Sequence, residues 1–409
     1  MTGSCWTDEL LEVRLYGGQV TSWKNEQGDE LLFVSSKAIF KSPGAIRGGI
    51  PICFPQFGTH GNLEKHGFAR NRLWLVDDNP PPLPVNSGIK TYADLILKPS
   101  EEDLKIWPHR FEFRLRVALG PKGDLFLTSR IRNTNTDGKP FSFTFAYHTY
   151  FSVSDISFPV PMHHNSKLYY VLTETAKFLS EVRIEGLETM DYFDNLKGKE
   201  RFTEQGDALV FESEIDKVYL DTPPKIAIID HEKKRTFVLR KDGLPDAVVW
   251  NPWERRSKTI LDFGDEEYKH MLCVEPAAVE KPITLKPGEE WKGRLELSAV
   301  PSSYYSGQLD PDKVMFNPRF VTVWVAIWKV GNAFLNNAAV TFRNVLMPKV
   351  FGVRGATAYS VNHQNAFAVS AVSSFRWERD NSIILMSQAN LQPPKWVTKS
   401  GKISIHTAW

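Results

Sequence analysis

The run Phe111-Glu112-Phe113-Arg114-Leu115-Arg116-Val117 alternates apolar and charged residues without exception. A period of two places its apolar side chains on one face of an extended strand and argues against a helix, whose faces repeat every 3.6 residues. Gly120-Pro121-Lys122-Gly123-Asp124 breaks the run, and Leu125-Phe126-Leu127-Thr128 resumes it, which marks a hairpin. A second turn cluster, Thr136-Asp137-Gly138-Lys139-Pro140, precedes an aromatic strand from Phe141 to Phe151. Phe237 to Arg240, Lys241-Asp242-Gly243 and Ala247 to Trp250 repeat the order strand, turn, strand. Few segments sustain a helical period over three turns. Strands with closely spaced turns over about three hundred residues predict an all-β chain built as one large antiparallel β-sandwich.

The charge balance changes late in the chain. From Val314 to the end there are ten Lys or Arg against two acidic residues, a net of +8, while the remainder carries −6. Such asymmetry predicts a boundary, with a catalytic domain over residues 1–313 and a basic extension over 314–409. The stretch Val321 to Phe334 is apolar but interrupted by Lys329, Gly331 and Asn332, and it is shorter than the ~20 residues of a spanning helix. The extension is therefore expected to be poorly ordered and without a catalytic role. The sharper alternative is a segment that lies on a membrane surface or binds a partner.

The overall formal charge of +2 points to neither a nucleic acid nor a membrane partner. The three cysteines are Cys5, Cys53 and Cys273, and two of them sit inside apolar runs, which suits a reducing compartment better than a disulfide framework. No Asn-X-Ser/Thr acceptor and no signal pattern is present, so a cytoplasmic location is expected. Phosphate-loop, dinucleotide-binding, Cys-x-x-Cys and Gly-x-Ser-x-Gly patterns are also missing, which removes most nucleotide, zinc and acyl-transfer chemistries.

What remains is a set of ionisable residues in strand-like sequence. In Phe141 to Tyr150, the bulky Phe141, Phe143, Phe145 and Tyr147 share one face, and Ser142, Thr144, Ala146, His148 and Tyr150 the other. His148 is as readily an ordinary polar residue on a solvated face as a functional group. Glu275 interrupts the apolar run Met271-Leu272-Cys273-Val274. Burial there would raise its pKa toward neutrality and suit it to proton transfer, unless it merely ends a strand in solvent. Arg47 and Arg70 flank Gly- and Pro-constrained backbone, at Arg47-Gly48-Gly49-Ile50-Pro51 and His66-Gly67-Phe68-Ala69-Arg70. Two rigidly held guanidinium groups make a phosphate clamp, or each simply pairs with a carboxylate.

Several longer motifs point further. They are Leu15-Tyr-Gly-Gly-Gln-Val-Thr-Ser-Trp23, Arg47-Gly-Gly-Ile-Pro-Ile-Cys-Phe-Pro-Gln-Phe-Gly58, His66-Gly-Phe-Ala-Arg-Asn-Arg72, Trp107-Pro-His-Arg-Phe-Glu-Phe113, Ala146-Tyr-His148, Trp250-Asn-Pro-Trp253 and Cys273-Val-Glu-Pro276. In this order they resemble the glucose-6-phosphate 1-epimerase branch of the aldose 1-epimerase (galactose mutarotase-like) family, plant members above all, over roughly residues 11–313. The resemblance implies a galactose mutarotase-like sandwich with an atypical C-terminal extension. It implies His148 as general acid, Glu275 as general base, and Arg47 and Arg70 as contacts to the phosphate. Asp194 is similar to the aspartate that bonds the sugar hydroxyls, with Asp191 a near neighbour, and His66 orients the loop or touches substrate. Lys65 stands where the family often has Gln, and residues 1–10 depart from the usual opening strand.

The activity so implied is mutarotation of a hexose 6-phosphate. Glu275 takes the proton from the C1 hydroxyl while His148 protonates the ring oxygen, the ring opens, C1–C2 rotates, and the pair runs in reverse. On this scheme His148 begins protonated and Glu275 ionised, with activity falling at both pH extremes. No metal or other cofactor is expected, and the protein is expected to be a monomer with a small-molecule substrate. The rival readings are a mutarotase for unphosphorylated hexoses and a carbohydrate-binding protein without turnover.

Overall fold

In a computed structural model of the chain, the described residues are 9–59, 61–83, 89, 91–120, 122–157 and 182–302, with the backbone of 398–399 and 402–406. The strands begin with β1 (Glu9–Arg14), β2 (Gln19–Trp23), β3 (Ile52–Cys53), β4 (Leu75–Val76) and β5 (Thr91–Leu97). After the short helix α1 (Glu101–Ile106) come β6 (Phe111–Leu119), β7 (Leu125–Asn133), β8 (Phe141–Tyr147) and β9 (Tyr150–Ser152). There follow β10 (Val182–Glu185), β11 (Asp191–Asp194), β12 (Glu200–Thr203), β13 (Ile215–Tyr219) and β14 (Lys225–Asp230). The last are β15 (Arg235–Asp242), β16 (Asp246–Asn251), a helical turn α2 (Trp253–Ser257), β17 (Met271–Leu285), β18 (Glu290–Pro301), β19 (Thr398–Lys399) and β20 (Lys402–His406).

Two eight-stranded sheets dominate. The first runs β10-β14-β15-β18-β7-β6-β5-β4; the second runs β12-β11-β13-β16-β17-β8-β3, with β9 also paired to β17. Every paired strand within them is antiparallel, as the turn spacing predicts. The alternating run lies in β6, where Phe111, Phe113, Leu115 and Val117 are buried and the charged residues between them are not. From β8, Phe141, Phe143, Phe145 and Tyr147 enter the same core from the other sheet. Phe113 and Phe145 lie with ring centroids 6.1 Å apart, and Phe145 packs on Trp291 of β18 at 4.9 Å. Each such ring buried contributes about 1.5–3 kcal/mol, so the facing aromatics hold the sheets together.

The opposite face of β8 carries small residues. Ala146 packs with Ala277 of β17, Cys53 and Val248.

A third, smaller sheet has the order β19-β20-β1-β2. Position 403 falls opposite Val13 and position 405 opposite Leu11, both buried residues of β1. The pattern Lys-Ile-Ser-Ile-His of β20 thus matches the alternation of the strand it joins. The unit formed by residues 311–395, with most of the basic extension, lies outside the described residues, so its expected disorder does too. No helix among the described residues is long and apolar enough to cross a membrane.

Candidate functional site

β17 lies between β16 and β8, with Glu275 opposite Val248 and Ala277 opposite Ala146. Glu275 is therefore in the middle of a central strand and is only 1% exposed, not a strand-end carboxylate in water. The β8 ladder stops at Tyr147 and β9 starts at Tyr150. Between them the His148 N–H turns to the Pro51 carbonyl at 2.9 Å, and Tyr150 N–H to that of Gly49, also at 2.9 Å. Gly49 has φ +62°, and a Cβ there would sit 2.2 Å from the Val20 carbonyl, so this close approach requires glycine.

The break aims His148 at Glu275. Its Nδ1 is 3.0 Å from Glu275 Oε1, yet the two are not aligned as a hydrogen bond, and both His148 Nδ1 and Glu275 Oε2 are buried without a hydrogen-bond partner. The imidazole stacks on Tyr150 at 4.6 Å and 10°, while Trp250 and His66 meet it edge-on. The Tyr150 hydroxyl is 3.5 Å from His148 Nε2.

Burial pushes the Glu275 carboxyl well above the usual range; Asp216 pushes the same way, and Lys65 and Arg70 oppose it. Burial likewise drives His148 well below its ordinary value, helped by His66 and by the cations Arg70, Arg47 and Lys65. The ligand-free site therefore favours neutral imidazole and protonated carboxyl. This differs from the imidazolium and carboxylate from which the scheme above begins. Both states carry a single proton on the pair, and the low-dielectric floor favours the uncharged one.

His66 sits in the left-handed region at φ +69°, next to Gly67 at the same angle, so the loop is held in a strained form. Its Nδ1 faces the Gly58 N–H at 3.2 Å and the Cys53 thiol at 3.3 Å. A backbone N–H can only donate, so Nδ1 accepts and the ring proton resides on Nε2. Burial depresses the pKa of this ring too, followed by Arg70, Lys65 and Arg47, in accord with a neutral imidazole.

The two arginines differ. Arg47 Nε and Nη2 donate to Asp262 Oδ1 at 3.2 and 3.1 Å, and Nη1 to the Tyr150 hydroxyl at 3.3 Å. Its fork is already largely used. Arg70 Nη2 donates to the Lys65 carbonyl at 2.6 Å and its Nε is buried without a partner. Among the described residues Arg70 has no carboxylate within ion-pair distance. Lys65 lies beside it, its pKa lowered by desolvation and the neighbouring arginines, with Asp216 opposing.

Of the aspartates, Asp191 faces outward, bound to Arg201 and Thr203 at 2.7 and 2.6 Å, and takes no part in this group. Asp194 is buried, and its Oδ1 caps the following turn by accepting from Leu196 N–H at 3.0 Å. Asn195 donates instead to Asp216 on β13 at 2.7 Å. Asp216 acts electrostatically on both Glu275 and Lys65, and its own pKa is raised chiefly by burial. It joins the site without having been expected there, because Ile215-Asp216-Lys217-Val218-Tyr219 reads as a strand with a solvated charged face.

An imidazole and a carboxyl buried side by side with polar atoms unbonded, near cations with bonding capacity left over, have the makings of an acid–base site for an anionic, hydroxyl-rich ligand. The chain belongs to the aldose 1-epimerase family, whose model matches residues 8–298. It is 74% identical over 304 residues to a protein of Cenchrus ciliaris named "Putative glucose-6-phosphate 1-epimerase", covering 74% of this chain and 85% of that one. An Escherichia coli protein of the same name is 29% identical over 265 residues, covering 64% and 78%. A Salmonella typhimurium crystal structure described as a putative mutarotase superposes with a TM-score of 0.58 at 25% identity, covering 71% of this chain and 87% of that one. The galactose mutarotase-like sandwich and the epimerase class expected from the sequence both stand.

Proposed function

We propose that the protein interconverts the α and β anomers of glucose 6-phosphate, or a closely similar hexose 6-phosphate, by acid/base opening and closure of the ring. The observation that carries this reading is the His148–Glu275 pair, two ionisable groups buried side by side with polar atoms left unbonded. Mutarotation moves one proton off O1 and one onto the ring oxygen, then reverses both. A pair that shares a single proton can do this and return to its starting state.

In the forward half-reaction Glu275 as carboxylate takes the O1 proton and His148 as imidazolium gives one to the ring oxygen. This leaves the protonated carboxyl and neutral imidazole that burial favours, so ring opening discharges the pair. Lys65 and Arg70 lower the cost of the carboxylate at the start. After rotation about C1–C2, the carboxyl returns its proton to O1 and the imidazole takes one from the attacking hydroxyl. His66 offers its Nε2–H as a fixed neutral donor, and Asp194 and Asp216, each with one carboxylate oxygen accepting a single hydrogen bond, keep acceptor capacity for sugar hydroxyls.

Arg70 and Lys65 are the natural contacts to the 6-phosphate, with Arg47 in a supporting place because Asp262 and Tyr150 occupy it. The protein then acts as a monomer in the cytosol, where its buried free thiols Cys53 and Cys273 stay reduced. The test is anomerisation of glucose 6-phosphate against glucose at equal concentration. Acceleration confined to the phosphate ester supports the proposal; equal acceleration of both supports a mutarotase for free hexoses.

A further inference from the structure

Cys273 has no part in the mechanism above, yet it is fully buried beside it. It lies two residues before Glu275 on β17 and so on the same face of the strand. One ligand atom each from His148, Cys273 and Glu275 fall within 4.8 Å of one another. Two members of the group, His148 and Glu275, also carry buried polar atoms that no protein group satisfies.

We propose that these three side chains form a binding site for a borderline-soft divalent cation of the Zn²⁺ class, which inhibits the enzyme by occupying its acid–base pair. The donor set selects the cation. An imidazole nitrogen, a sulfur and a carboxylate oxygen suit Zn²⁺ or Co²⁺ and offer little to Mg²⁺ or Ca²⁺, which take oxygen ligands. Tetrahedral bonds of ordinary length place ligand atoms about 3.3–3.8 Å apart. The His148–Glu275 separation of 3.0 Å and the 4.8 Å limit for the group bracket that spacing, so small side-chain rotations are enough. Three protein ligands leave a fourth position for water or a sugar oxygen.

Binding releases the thiol proton and the Glu275 carboxyl proton to solvent as the sulfur and the carboxylate oxygen become ligands, with no change of oxidation state. A cation so held ties up the nitrogen and the oxygen that must exchange protons with O1 and the ring oxygen. Inhibition is therefore competitive with the sugar phosphate and reversed by a chelator. That consequence rests on the function proposed above; the binding itself does not.

The test uses the full chain, freed of metal, titrated with Co²⁺ and followed by the near-ultraviolet absorption of thiolate-to-cobalt charge transfer. The expected result is a band that saturates at one ion per chain, is displaced by Zn²⁺, and is absent from folded Cys273→Ser. Glu275→Gln, which keeps the thiol, should weaken Co²⁺ binding by about tenfold or more. Zn²⁺ should slow anomer exchange in the wild type, and Cys273→Ser should need about tenfold more Zn²⁺ for the same effect. A folded wild type without the band, or a band or inhibition unchanged in Cys273→Ser, overturns the site. A band that obeys these expectations in a protein that anomerises neither sugar leaves the site standing and refutes the proposed function.

Discussion

In the sheet that carries β6, Arg114 donates to Glu112 at 2.8 Å, to Asp77 at 2.5 Å and to the Asn79 carbonyl at 2.9 Å, and Arg116 reaches Asp94 at 2.8 Å. In the sheet that carries β17, His148 and Glu275 are buried and leave polar atoms unbonded. The first arrangement satisfies its charges and fastens the segment from Asp77 to Asn79 across the sheet. The second keeps groups whose desolvation costs stability, a cost that Lys65 and Arg70 offset only in part for Glu275. The ion pairs around β6 are closed by their neighbours, and the His148–Glu275 pair keeps open positions that a ligand could fill. The cationic rim repeats the contrast, with Arg47 closed by Asp262 and Arg70 left open.

The largest effect should come from the open pair. Glu275→Gln or His148→Asn should lower kcat for anomer exchange by about 10²–10⁴-fold, with circular dichroism unchanged. A smaller loss belongs to the open arginine. Arg70→Ala should reduce kcat/KM for glucose 6-phosphate by about 10–100-fold, the equivalent of charge-assisted hydrogen bonds, while leaving any activity on glucose as it was. An equal loss on both sugars would place Arg70 in structural support.

The closed side should respond in stability instead. Arg114→Met strands the nearly buried Asp77, whose side chain is 5% exposed, and should cost about 1–3 kcal/mol in urea unfolding with kcat unchanged. A fall in kcat without loss of stability would erase the distinction between the sheets.

The smallest effect is a gain. Folding raises the pKa of Glu275, so its contribution to stability is fully present below the unfolded-state value near 4.5 and is lost as pH rises through the folded value. Glu275→Gln should therefore be more stable than the wild type at pH 8, with the advantage shrinking as pH falls toward 4.5. An advantage independent of pH would mean that the carboxyl is not strained by burial.

Much of this architecture is legible in the chain. The alternation of Phe111 to Val117 marks β6, and the period of two from Phe141 to Tyr147 marks the core face of β8. Glu275 stands out because a carboxyl is costly inside an apolar run. Other features depend on contacts distant in sequence, which local pattern does not encode. Asp262 closes Arg47 across 215 positions. Asp216 resembles a solvated strand residue until Asn195, 21 positions earlier, turns toward it. Asp194 fits the sugar contact by motif, and its Oδ1 also caps the turn two residues on. The protonation state of the pair is also invisible in sequence, because it is set by the depth of burial. The pairing of β20 with β1 is foreshadowed by the alternation of Lys402 to His406, within an extension read as lacking structure.

The central claim is that a buried, unbonded His148–Glu275 pair carries the proton transfers. The most direct measurement is the α–β exchange rate of glucose 6-phosphate by NMR magnetisation transfer, for the wild type and for folded Glu275→Gln. The account predicts rapid exchange in the wild type and a fall of about 10²-fold or more in the variant. Exchange at the wild-type rate in Glu275→Gln would contradict it.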